Sequence, residues 1–446
     1  MSANNDDFKG YRTPTLDLLA REKAPVWSQV TLHTTGGDFS GLILPRSETA
    51  DADHIVLKLD TGYNIGVRHD TVTRITVHGR KEAHYQIPEK EFPFDPKKPR
   101  VKLFGTGGTI ASRLDYRTGA VIPAFSPGEL YGSVPELADI CNMETEKLYG
   151  VFSENMGPDQ WIGTAEAIAA EIDKGVAGIV VGHGTDTMHH TAAALSFMLQ
   201  DSPVPIVMVG SQRSSDRPSS DAAINLINAT RTAATSDIAE VMVCMFGPTS
   251  DKYGLLHRGT RVRKMHSSYR STFRTLSDIP LGKIDEHGVT PFREDYHRRR
   301  GDNKVDLKAV FDDRVSLVYY YPAMKPDIID SLVDNGYKGI VIAGTGLGHV
   351  NKPLYPALDR AREAGVHVYM TVQTLWGYVQ MYVYETGREI MEMGVVPAAN
   401  MMPEVAYVKL GWALAQTEDP VELRRLMLTP VDREITDRER AGHAPR

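Results

Sequence analysis

The chain has 446 residues, 41% hydrophobic and 24% charged, which suits two or three folded domains and excludes a disordered or fibrous chain. Lys and Arg total 50 against 57 Asp and Glu, and a net charge of −7 does not fit a dedicated nucleic-acid wrapper. Two cysteines, Cys141 and Cys244, supply neither a disulfide framework nor a cysteine zinc site.

The N-terminus MSANNDDFKGYRTP has early acids and no apolar core, and no run of about 18 apolar residues follows anywhere. A soluble cytoplasmic protein with no membrane segment is expected. From about residue 28 to 80, short alternating runs (QVTLH, FSGLILP, HIVLKLDTGYNIGV, VTRITVH) are broken by turn residues. Period-two alternation of this kind predicts four or five antiparallel strands, and their brevity points to a small closed β-barrel of the SH3 or Sm-like kind within 1–90. Pro88, Pro93, Pro96 and Pro99 then mark an extended linker, assigned to 91–100.

The pattern changes after the linker. Apolar strands are expected at 101–104, 178–181, 204–209 and 241–246. A helix is expected where Met188, Ala192, Leu195 and Leu199 share a face, and another over 222–232. A second unit begins near 312, with strands at 316–320, 339–343 and 366–371 and a helix over 326–335. Apolar strands alternating with helices predict parallel sheets covered on both faces, so the fold class is α/β. The domains are set at 101–311 and 312–446.

Functional groups in open α/β sheets gather outside the carboxyl ends of the strands. Two strand-end loops are rich in reactive types. The first, Gly105-Thr106-Gly107-Gly108-Thr109, lacks both a Walker lysine and dinucleotide spacing, so the nucleotide reading is rejected. The second is HGTDT at 183–187, where Asp186 is equally a helix cap or a partner for a lysine. His183, His189 and His190 lack the spacing of a zinc motif; no metal is expected, with one histidine bonded in the loop and the others facing solvent. The run 258–275 holds Arg258, Arg261, Arg263, Lys264, Arg270 and Arg274. Its default reading is a solvated basic face, although crowding by cations favours the neutral, proton-accepting form of a lysine. HRRR at 297–300 reads as loop surface, and GTGLG at 344–348 as a backbone turn.

TGGTIAS at 106–112, HGTDTM at 183–188 and a lysine at 264 together resemble the asparaginase/glutaminase family, with FSENM at 152–156 and MVGSQR at 208–213 in support. The resemblance covers about residues 100–410 and implies two asparaginase-like α/β domains. It places the catalytic set on Thr109, Thr185, Asp186 and Lys264. It places substrate binding on Ser153 and Glu154, and on Tyr116 in LDYRTGAV; Ser-Glu-Asn at 153–155 stands where many relatives have Ser-Gln-Asp. The barrel, the proline linker and the tail beginning at Met401 are similar to the branch of the family that serves tRNA-dependent amidotransferases, ligases overall. That branch implies ammonia release from glutamine or asparagine by a threonine nucleophile, with no cofactor in this chain. It also implies an E-type partner subunit that uses ATP and Mg on glutamyl-tRNA(Gln), and self-association as a homodimer. Two rival readings remain at this stage: a free-standing L-asparaginase/glutaminase, and a non-catalytic Sm-like RNA-binding scaffold.

Overall fold

The computed structural model describes residues 7–46, 50–59, 64–80, 93–107, 112–115, 120–123, 134–213 and 220–439. Among them, three larger sheets carry the architecture. The first is antiparallel, in the order Asn64–Arg68, His54–Leu59, Gly37–Ile43, Ser28–Thr34, Val72–Arg80. Alternation does what it should: Val30, Leu32, Ile43, Ile55, Leu57 and Ile75 turn to one core while their neighbours face outward. A helix that the sequence pattern does not reveal, Thr15–Arg21, adds Leu18 and Leu19 to this core. Closure into a barrel is not seen among the described ladders. The edge strands Asn64–Arg68 and Val72–Arg80 are joined by a 3-10 turn, His69–Thr71, which sends the last strand across to pair with Ser28–Thr34 instead of folding back on its neighbour. Residues 81–92 lie outside the described set. Residues 93–99 form neither helix nor strand and are pinned to the next domain, Asp95 N–H donating to Asn142 Oδ1 at 2.9 Å.

The central sheet has eight strands, in the order Gly288–Pro291, Gly282–Asp285, Gly254–Arg258, Val241–Phe246, Ile206–Val209, Gly178–Gly182, Arg100–Gly105, Asn142–Lys147. The last five are parallel, as apolar runs predict for four of them, whereas the edge strand Asn142–Lys147 is polar and not among those expected; helices such as Pro158–Asp173, Met188–Met198 and Ala222–Thr235 pack on the sheet. The first three are antiparallel, which corrects the expectation of a purely parallel sheet. The reason is loop length. Residues 247–253 are too few to hold a crossover, which takes about a dozen or more residues, so the chain turns back as a hairpin.

The C-terminal sheet is parallel throughout: Val315–Tyr319, Gly339–Gly344, His367–Val372, Val396–Pro397. GTGLG is a tight turn, as expected, with Thr345 N–H donating to His349 O at 2.9 Å. Helix Pro403–Leu414, followed by the last helix Pro420–Leu428, has no polar face; of its twelve residues only Tyr407 is not buried, and such a helix must lie between layers. It sits between the two units. Val405, Val408 and Trp412 share a core with Val181, Leu195 and Phe197, and the Trp412 and Phe197 rings stack at 5.7 Å. The tail then crosses back over the central domain, where the Thr260 hydroxyl donates to Asp432 O at 2.7 Å and Arg261 Nε to Arg433 O at 3.0 Å.

Candidate active site

Register brings the two reactive loops together. Strands Arg100–Gly105 and Gly178–Gly182 are parallel neighbours with Gly105 opposite Gly182, so GTGGT and HGTDT leave the same edge side by side. Ile206–Val209 follows with Val209 opposite Gly182, and Asn142–Lys147 flanks the other side with Lys147 opposite Gly105. FSENM and MVGSQR therefore emerge at the same carboxyl edge. Thr106 ties the first loop to the second, its N–H and its hydroxyl each donating to Gly182 O at 3.0 Å. Gly107 has φ +131° and lies against the backbone, so that a Cβ would stand 2.0 Å from Val151 O; only glycine fits. Thr109 and Tyr116 lie outside the described residues.

HGTDT meets FSENM just as closely. A Cβ on Gly184 would stand 2.7 Å from the Ser153 Cβ, and the Thr187 hydroxyl donates to Ser153 O at 2.6 Å. Ser153 is buried and Glu154 exposed, in the short turn Ser153–Asn155. MVGSQR is fixed from beneath by the fully buried Asp221, whose carboxylate accepts from Gln212 N–H and Arg213 N–H at 2.9–3.1 Å. Asn225 Nδ2 donates to Gly210 O at 3.0 Å. Sequence reasoning missed Asp221, Asn225 and Thr187, whose residue types carry no signal apart from their position after a strand end.

Lys264 completes the arrangement. It ends the short strand Val262–Lys264, paired in a hairpin with Phe273–Thr275, and its ammonium donates to Thr185 Oγ1 at 2.9 Å and to Asp186 Oδ1 at 2.7 Å. The lysine side chain is 8% exposed, whereas that of Asp186 is 69% exposed. Asp186 is thus a lysine partner: helix Met188–Met198 starts at Thr187 with no side-chain cap. Three of the catalytic positions implied by resemblance, Thr185, Asp186 and Lys264, are therefore joined through the lysine, and Ser153 packs against Gly184, the residue before Thr185.

Two other expectations need correcting. The basic run is not one solvated face: Arg258 is 1% exposed and clamps Glu240 at 2.7 and 3.1 Å, the buried Arg261 donates to Asn400 O, and the half-buried Arg263 pairs with Glu404 at 3.1 Å, while Arg274 is exposed. Each guanidinium finds a carboxylate or carbonyl, because an unpaired buried cation is too costly to keep. HRRR lies in a loop with Arg298 exposed, as expected, but Arg299 reaches inward, donating to Ala177 O, Ser236 O and Ala233 O. The histidines do not face solvent either. His183 and His189 are buried and His190 is half-buried; burial pushes His183 and His190 down to about 4 and His189 well below its ordinary value. Among the described residues, the one group of side chains with ligand-like spacing is Glu240, His297 and Asp432, and Glu240 is already held by Arg258 and Arg433.

The chain matches the family models "Asparaginase, N-terminal" over residues 100–296, "Glutaminase/Asparaginase C-terminal domain" over 314–427 and "GatD N-terminal domain" over 24–77. It is 50% identical over 401 residues to the D-type subunit of the glutamyl-tRNA(Gln) amidotransferase of Pyrococcus furiosus, covering 90% of this chain and 91% of that one. The protein of the same name from Methanothermobacter thermautotrophicus is 48% identical over 428 residues, covering 96% and 98%. The thermostable L-asparaginase from Thermococcus kodakarensis superposes with a TM-score of 0.67 at 30% identity, over 76% of this chain and 99% of that one. The chain belongs to the GatD family, the D-type subunits of glutamyl-tRNA(Gln) amidotransferases, built on the glutaminase/asparaginase fold.

Proposed function

We propose that this chain releases ammonia from glutamine, or asparagine, and that an E-type partner subunit uses it, with ATP and Mg, to convert glutamyl-tRNA(Gln) to glutaminyl-tRNA(Gln). One observation carries the chemistry: a buried lysine in simultaneous contact with a strand-end threonine hydroxyl and a carboxylate. An amide carbon is a poor electrophile, so a hydroxyl must lose its proton as it attacks. Thr109 and Thr185 are the two candidate hydroxyls. Lys264, oriented by Asp186, takes the proton in its neutral form and returns it to the departing nitrogen as the C–N bond breaks. Water then cleaves the acyl ester, giving the acid and restoring the threonine. Backbone N–H groups of the glycine loop steady the oxyanion, a contribution worth about 3–4 kcal/mol per donor. Ser153, Glu154 and Tyr116 hold the substrate's α-carboxylate and amine.

The same reading divides the chain into 1–90, a linker at 91–100, 101–311 and 312–446, with self-association as a homodimer. The N-terminal β-domain goes to docking and coupling, because the Thermococcus kodakarensis asparaginase is spanned almost whole by only 76% of this chain. The decisive experiment is ammonia release from glutamine, with and without an E-type subunit and charged glutamyl-tRNA(Gln). Stimulation by the pair supports the reading. High turnover that neither addition changes identifies a free-standing asparaginase instead.

A further inference from the structure

The mechanism leaves three fully or nearly fully buried polar side chains unused beside the HGTDT loop. Trp161 stands in the first turn of helix Pro158–Asp173, just after FSENM; Thr191 stands in helix Met188–Met198; His183 opens the loop itself. They form one chain of hydrogen bonds. Trp161 Nε1 lies 3.0 Å from Thr191 Oγ1, Thr191 Oγ1 lies 2.9 Å from His183 Nε2, and His183 Nδ1 lies 2.6 Å from Gly184 O.

Donor and acceptor inventory fixes the direction of that chain. The indole nitrogen only donates and the Gly184 carbonyl only accepts. His183 Nδ1 must therefore carry a proton, since a bare nitrogen at 2.6 Å would set two lone pairs against each other. The Thr191 oxygen accepts from Trp161, which leaves its single proton for His183 Nε2. The imidazole is neutral, protonated at Nδ1, and points at the carbonyl immediately before Thr185. Because a peptide unit is planar, fixing the Gly184 carbonyl also fixes the N–H and the Cα of Thr185, the point from which its side chain starts.

We infer that Trp161, Thr191 and His183 are positioning residues, which hold the Gly184–Thr185 peptide so that the Thr185 hydroxyl meets Lys264. The inference rests on the reading of Thr185 as a reacting or proton-relaying hydroxyl. The placement of the three residues supports it: Trp161 ties the helix that follows the substrate loop to the catalytic loop, and Thr187 makes a second tie from the same loop to Ser153. A displacement of about 1 Å at a reacting group costs on the order of 10²-fold in rate, so this small network has leverage over turnover.

The test compares Thr191→Val with Thr191→Ser. Valine keeps the branched shape and removes both hydrogen bonds, whereas serine keeps the hydroxyl. With glutamine as substrate, we expect kcat of Thr191→Val to fall about tenfold or more with KM within about twofold, and Thr191→Ser to recover to within about threefold of wild type. Nitrogen-15 NMR of histidine-labelled protein, with the signal assigned through His183→Gln, should show an Nδ1-protonated ring in the wild type and the serine variant and an altered ring in the valine variant. Unchanged kcat in Thr191→Val with only a lower Tm would make the network structural and overturn the inference. An equal loss in the serine variant would overturn it too. Should Thr191→Val not fold, Trp161→Phe removes the indole donor together with some buried ring volume, and its kcat must still fall, with KM within about twofold, at a temperature where a melting curve shows it folded. A Thr185→Ala protein that retains full turnover would defeat the underlying site reading itself, which the Thr191 pair cannot do.

Discussion

Replacing Lys264 by methionine keeps the length of the side chain and deletes its charge. In the folded protein the ammonium makes two contacts, 2.9 Å to the Thr185 hydroxyl and 2.7 Å to the Asp186 carboxylate. Each charge-assisted hydrogen bond contributes about 1.5–3 kcal/mol, so the pair accounts for roughly 3–6 kcal/mol of organisation around the hydroxyl. If that organisation is expressed in the transition state, kcat falls by about 10² to 10⁴, at 1.36 kcal/mol per tenfold. The loss of a positioned acid–base group independently gives about the same range. The fold should hardly notice. Asp186 is 69% exposed and water takes over its solvation. The assay is ammonia release from saturating glutamine, read by a coupled dehydrogenase, beside circular dichroism and a melting curve. A variant that melts like the wild type and keeps more than about a tenth of its kcat would show that Lys264 is not the proton acceptor.

Exhaustive chelation should leave glutamine hydrolysis unchanged, since the proposed proton acceptor is a lysine; activity lost to chelator and restored by zinc would refute the proposed threonine mechanism. A chain beginning at Lys97 should keep basal hydrolysis and respond less than the full chain to the E-type subunit and glutamyl-tRNA(Gln). Equal stimulation of both would remove the N-terminal domain from coupling. Sedimentation at micromolar concentration should show a dimer, and fully active monomer would contradict the proposed assembly. Stability should also carry a pH signature at Asp432, whose carboxyl burial, and next the Glu240 carboxylate, push up to about 8. The folded protein then holds a proton that the unfolded chain releases near about pH 4. This contribution is complete below about pH 4 and lost as pH rises to about 8, so Asp432→Asn should gain in Tm relative to wild type across that window. A constant Tm difference from pH 5 to about 8 would contradict the shift.

Much of the site was legible because its parts sit in strand-end loops with unusual residue content. HGTDT carries Thr185 and Asp186 in sequence, and the apolar run before it announces the strand that aims them. Lys264 was legible as a lysine crowded by cations, but only the resemblance paired it with the threonine: nothing in a run of arginines says which cation turns there. The arginines themselves gave a false impression of a solvated face. Local composition gives no sign that Arg258 would find Glu240, 18 positions earlier, or that Arg261 would reach Asn400, since those partners are set by tertiary packing. The same holds for His189, whose interior position follows from a helix buried on nearly every side rather than from its neighbours in sequence. Sheet direction after Phe246 was available in principle, because the short segment to Gly254 already forbids a crossover. Helix Thr15–Arg21 was hidden by its length of two turns.

Helix Pro403–Leu414 has a consequence for how the protein is made. The core that it completes is shared with Met188–Met198, yet roughly 200 residues of chain separate the two helices. At about 5–20 residues per second, a ribosome takes on the order of 10–40 s to deliver the second helix after the first. For that interval Leu195 and Phe197, on the nascent central domain, have no Val408 or Trp412 to cover them. Newborn chains should therefore be sticky until helix Pro403–Leu414 has been made, and premature termination between Met198 and Pro403 should yield aggregates rather than a working central domain.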